Sequence, residues 1–65
     1  MTNKQKVFSV IMQRKMASVS DLEEILKINK LSILKAIYLL ILDREIKYIT
    51  IDKERYFLLK KHKKI

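Results

Sequence analysis

The sequence predicts a small, mostly α fold that closes on a β-hairpin: three helices, then two antiparallel strands, with a short extra segment able to add a third. Three observations carry this expectation. Polar capping residues stand before three separate apolar stripes of helical period. The period changes from helical to alternating at Ile46. A polar break at Asp52-Lys53-Glu54 then separates two runs rich in β-branched and aromatic residues.

Each element has its own local warrant. Thr2-Asn3-Lys4-Gln5 fits a T-x-x-Q capping box, so a first helix starts near residue 3 and runs to about Lys15. Val7, Val10, Ile11 and Met12 form its apolar stripe, with Phe8 beside it. Ala17-Ser18-Val19 is a β-prone link. Ser20-Asp21-Leu22-Glu23 reads as a second capping box, with Leu22, Ile25 and Leu26 as the buried stripe of a short second helix. Asp21, Glu23 and Glu24 fall in its first turn, where the helix dipole favours negative charge, so this acidic cluster has a structural explanation. Lys27-Ile28-Asn29 breaks the pattern. Asn29 is a suitable N-cap for a third helix, and Ile28 and Ile33 occupy the two positions of a hydrophobic staple. That helix, KLSILKAIYLLIL, ends near Asp43-Arg44-Glu45. Ile46 to Ile51 reads as one strand, and Arg55 to Leu59 as its return across about three polar residues. The domain is expected over residues 1–59, followed by a basic tail over 60–65.

Composition removes several classes of function. The 65 residues support one small core. With no Cys, disulfide frameworks, thiolate metal sites and cysteine nucleophiles are excluded; with no Gly, so are glycine-rich phosphate loops. The longest apolar run, Ala36 to Leu42, is seven residues against the roughly 20 needed to span a bilayer, and VFSVIM is too short for a secretory leader. A cytoplasmic or nucleoid-associated protein with no membrane partner is expected. The acids sit in caps and turns, away from any nucleophile, and His62 lies among lysines with no companion ligand. Neither catalysis, nor a cofactor or metal, nor a small-molecule substrate is expected.

Charge points the other way. The net charge of +8 favours a polyanion or an acidic partner. Residues 1–19 carry Lys4, Lys6, Arg14 and Lys15 without an acid, and the chain closes on Lys60, Lys61, His62, Lys63 and Lys64. On the hairpin, Lys47, Lys53 and Arg55 accompany Tyr48, Tyr56 and Phe57, a combination able to stack on bases, although alternation places Tyr48 and Phe57 in the core. The third helix is apolar almost all round. Ile33, Ala36, Ile37 and Leu40, with Ile41 at the edge, form the face that must pack on the other helices. Leu31, Leu34, Tyr38 and Leu42 form a second face. It is open to three uses: a protein partner or second copy, burial beneath the hairpin or first helix, or nucleic-acid contact.

The succession helix, short strand, helix, turn, helix, hairpin resembles the winged-helix family. The resemblance is carried by VSDLEEILKIN from Val19 to Asn29, then Ile33, Ile37, Leu40 and Ile46, and it covers about residues 3 to 59. It implies a winged helix-turn-helix of three helices and a two- or three-stranded wing sheet. Two features depart from the family pattern: Glu23 and Lys27 replace small residues of the turn, and the wing lacks the Gly and Arg residues that many DNA-reading wings use at the tip. By the resemblance, the third helix enters the major groove, presenting Lys30, Leu31, Ser32, Leu34, Lys35 and Tyr38. Lys30 and Lys35 suit phosphate or guanine, and Ser32 suits either. The Arg, Asn or Gln that would discriminate bases bidentately is missing inside the helix. The expectation is therefore duplex DNA held mainly through phosphates, with weak sequence preference, by Lys30, Ser32, Lys35, Lys53, Arg55, Lys60, Lys61, Lys63 and Lys64. The alternative is an accessory subunit of a DNA polymerase holoenzyme, a transcription complex or a ribosome, with the Leu31, Leu34, Tyr38 and Leu42 face docked on protein. A homodimer through that face is compatible with either.

Overall fold

The computed structural model describes residues 2–60. In chain order the elements are α1 (Asn3–Arg14), β1 (Ala17–Ser18), α2 (Val19–Leu26), α3 (Lys30–Leu42), β2 (Ile46–Ile51) and β3 (Glu54–Leu59). Three helices pack beside a three-stranded antiparallel sheet of order β1-β3-β2. This is consistent with the winged-helix layout. Among the described residues no helix is long and apolar enough to cross a membrane.

Local chemistry explains most boundaries. Thr2 caps α1 reciprocally: its hydroxyl accepts from the Gln5 amide at 3.2 Å, and its own N–H donates to the Gln5 side chain at 3.0 Å. Asn29 caps α3, its side-chain oxygen accepting from the Ser32 amide at 2.9 Å. The end of α3 is a Schellman turn, in which Glu45 N–H donates to Leu40 C=O at 3.0 Å and Arg44 N–H to Ile41 C=O at 2.9 Å. Arg44 takes the left-handed conformation there (φ 60°), as do Lys15 and Lys27 at the ends of α1 and α2.

The start of α2 differs from the expected Ser20 box. Ser18 is the N-cap: its hydroxyl accepts from the Asp21 amide at 3.2 Å, and the Asp21 carboxylate accepts from the Ser18 N–H at 3.1 Å. The reason lies in the sheet. Ser18 pairs with Tyr56 of β3, which holds it at φ −90°, ψ 171°, the extended geometry that an N-cap needs. The earlier start also changes which side chains are buried. Leu22 is buried, and Val19 and Leu26 are partly buried against the core, whereas Ile25, expected in the stripe, is exposed. Met12 is likewise exposed, one position beyond the buried Val7, Val10 and Ile11 of α1.

The core gathers these residues with Ala17, Ile33, Ala36, Ile37, Leu40, Ile46 and Phe57. Ile28 packs at its margin and Ile33 is buried, as the staple requires. Across the sheet, Ala17, Phe57 and Tyr48 lie in one register row. Phe57 enters the core, but Tyr48, expected there too, is half exposed, because of β2 only Ile46 is buried and the hairpin runs on past the helices. The Tyr48 ring instead carries the Arg55 guanidinium 4.6 Å from its centroid and meets Phe57 at 6.2 Å in a tilted arrangement. The turn is also tighter than the expected three residues. Asp52 and Lys53 alone form it, both left-handed (φ 49° and 68°), the pattern of a type I′ hairpin.

Candidate nucleic-acid interface

Tertiary packing brings three of the expected cations together. Lys30, at the first turn of α3, shares a surface hollow with Lys53 and Arg55 of the hairpin tip; Val19, Ser20, Glu23, Asp52 and Glu54 complete its lining. Asn29 fixes where α3 begins, and the two-residue turn folds Lys53 back toward it. The acids Glu23, Asp52 and Glu54 interleave with the cations. Among the described residues the one ion pair is Lys4 with Asp43, so the three cations are not locked to those acids. The hollow thus presents three exposed cations from two elements beside three carboxylates.

The other expected residues lie elsewhere. Ser32 is half buried, its amide held by Asn29. Lys35 is exposed but belongs to an apolar hollow with Leu34, Tyr38 and Leu39. Lys60 is exposed at the base of the sheet, its N–H donating to Glu45 C=O at 3.0 Å. Five residues of extended chain separate it from Arg55, roughly 17 Å. Lys61, Lys63 and Lys64 lie outside the described residues, as does His62.

The second face of α3 is uncovered. Leu31 is 64% exposed, Tyr38 62%, Leu42 59% and Leu34 40%, so neither hairpin nor α1 buries it. Leu39, at 47%, belongs to the same face. Sequence reasoning missed it, although i+4 spacing places it beside Lys35, at the edge of the face away from Leu34. This face lies about 180° round the helix from Ile33, Ala36, Ile37 and Leu40, which are buried. A groove-reading helix is polar here; this one offers leucine and tyrosine. No group of His, Asp or Glu able to hold a metal ion occurs among the described residues.

The chain is similar to a solved structure, a DNA binding protein from Sulfolobus islandicus studied in solution. The two superpose with a TM-score of 0.81 at 23% sequence identity, over 92% of this chain and 95% of that one. At this identity the likeness is one of fold. Protein-family models and curated proteins give no match to the sequence.

Proposed function

We propose that the chain is a non-catalytic duplex-DNA-binding protein that holds the double helix mainly through its phosphates, with weak sequence preference. The observation that carries this reading is the convergence of Lys30, Lys53 and Arg55 on one hollow between the start of α3 and the hairpin tip. The net charge of +8 supports it, as does the shared fold with a protein that binds DNA. Lys35 and Lys60, with the tail lysines Lys61, Lys63 and Lys64, would add contacts beyond the hollow, with Ser32 nearest the groove. Weak preference follows from α3, whose outward leucines offer a thymine at most a methyl contact and which has no Arg, Asn or Gln for bidentate base contacts.

The test is duplex binding by fluorescence anisotropy across a salt series. Each phosphate neutralised contributes about −0.9 to the slope of log K against log salt. The variant Lys30→Ala/Lys53→Ala/Arg55→Ala should flatten the slope by about 2–3, and unrelated duplexes should bind within about tenfold of each other. An unchanged slope in the triple variant overturns the assignment of the hollow.

The uncovered α3 face favours a second reading, an accessory subunit of a larger nucleic-acid machine docked through Leu31, Leu34, Tyr38 and Leu42. That reading requires a stoichiometric protein partner that is lost in Leu34→Asp/Tyr38→Ala.

A further inference from the structure

We infer that the exposed face of α3 is an interface with a second copy of this chain, the two α3 helices crossing antiparallel about a twofold axis. The inference shares Lys30 and Lys35 with the proposed DNA contact but rests on a symmetry of the helix itself. The exposed positions of α3 are 30, 31, 34, 35, 38, 39, 41 and 42; the six without Lys30 and the edge residue Ile41 map onto themselves when the helix is reversed about the point between Ala36 and Ile37. Reversal carries 31 to 42, 34 to 39 and 35 to 38. The chemistry matches at every step. Leu31 meets Leu42 of the other copy on the seam, the Lys35 ammonium reaches the Tyr38 ring in a cation–π pair, and Leu34 and Leu39 stand level on the two flanks, Leu34 beside the other copy's Tyr38 and Leu39 beside its Lys35 stem. One step further out, Lys30 at the start of one helix comes level with Asp43 at the end of the other, a carboxylate that Lys4 of its own chain already pairs.

A parallel pair would set Lys30 against Lys30 and Lys35 against Lys35, like charges on one seam. The antiparallel arrangement removes both clashes and opposes the two helix dipoles. It is also isologous, each copy using the same patch, as a closed dimer requires. The shallow hollow of Leu34, Lys35, Tyr38 and Leu39 lies at the midpoint of the set, where the axis passes.

The area is that of a small interface. From their exposures, Leu31, Leu34, Tyr38, Leu39 and Leu42 present roughly 500–600 Å² of side chain per copy. A standard interface buries about 800 Å² per partner, which the stems of Lys30 and Lys35 and the edge of Ile41 bring within reach. The net charge of +8 on each copy opposes association, so added salt strengthens the dimer while it weakens any hold on a polyanion.

The absence of cysteine gives a direct test of register. Leu31→Cys and Leu42→Cys are made singly in the full chain, at exposed positions that leave the core intact. Mixed and oxidised, they should give a covalent dimer joining Cys at 31 to Cys at 42. Each alone should not cross-link, because eleven residues of helix hold like positions roughly 16 Å apart. Sedimentation velocity of the unmodified chain should show a dimer that tightens from 0.15 to 0.5 M salt, with Leu34→Asp monomeric at both while its far-UV circular dichroism is kept. Three results overturn the inference: a monomer at every concentration and both salts, cross-linking of either single variant with itself, or a different protein seated on this face with the pure chain monomeric. Duplex binding measured on the same samples separates a failed dimer from a failed DNA reading.

Discussion

Lys53 occupies a position where glycine would fold more easily, and replacing it measures what the turn costs. At φ 68° its Cβ crowds the following carbonyl, an arrangement worth about 1–2 kcal/mol for an L-residue. Glycine removes that crowding but gives the unfolded chain more freedom, about 0.5–1 kcal/mol in the other direction. Lys53→Gly should therefore stabilise the fold by about 0.5–1 kcal/mol, which in a chain of 65 residues raises Tm by roughly 3–6 °C. Lys27, at φ 57°, is the internal comparison. It lies at the C-cap of α2, where a cation gains about 0.3–1 kcal/mol from the helix dipole, so Lys27→Gly should leave Tm nearly unchanged. Lys53→Ala separates charge from conformation: it removes the ammonium, keeps the Cβ, and should also leave Tm nearly unchanged. Thermal melts followed by circular dichroism at 222 nm read all three. The reasoning is refuted if Lys53→Gly melts at or below Lys53→Ala, or if Lys27→Gly gains as much as Lys53→Gly. The stabilised variant also gives up one of the three cations of the hollow, so it should bind DNA less tightly at low salt if the proposed function holds.

Two further substitutions probe other parts of the fold. Ser18→Ala should cost about 1 kcal/mol in urea unfolding, while Ser20→Ala, on the exposed first turn, should stay within about 0.5 kcal/mol; equal costs would return the start of α2 to Ser20. Phe57→Ala should remove about 3–5 kcal/mol from a domain of this size, enough to abolish a cooperative melt; a Tm within a few degrees of the parent would show that Phe57 does not join the sheet to the helices.

How much of this was legible in the chain depended on how far each determinant reaches. The Thr2 and Asn29 caps, the Ile28–Ile33 staple and the Ile33, Ala36, Ile37, Leu40 face are set by residues within a few positions of one another, and reading them locally placed α1 and α3 correctly. Ser18-Val19-Ser20-Asp21 and Ser20-Asp21-Leu22-Glu23 both have capping-box spacing, so local pattern does not choose between Ser18 and Ser20; the pairing of Ser18 with Tyr56 does. The two-residue turn was hidden by the absence of the glycine or asparagine that marks type I′ turns. Alternation places Tyr48 in the core, but alternation carries no information on where a sheet outruns the helices that cover it. At the site, the types of the cations were legible, and their grouping was not. Lys30 and Lys53 are 23 positions apart in sequence and meet only through the fold. The apolar α3 face was legible because helical spacing alone defines it, apart from Leu39.

β1 has only two residues, yet it governs the order in which the molecule can assemble. Its pairing of Ala17 with Phe57 closes a loop of about 40 positions, an entropy cost that α3 and the hairpin do not bear on their own. The hairpin, joined by its two-residue turn, can form and dissolve on the microsecond scale, but two strands alone are marginal in water. The strand that completes the sheet must wait until the helices have brought residue 17 to residue 57. Amides of the Ala17–Ser18 segment should therefore exchange with solvent only through global unfolding, while those near Asp52 and Lys53 exchange by local fraying. Since the same pairing holds Ser18 in its capping geometry, α2 takes its first turn from a strand near the far end of the chain.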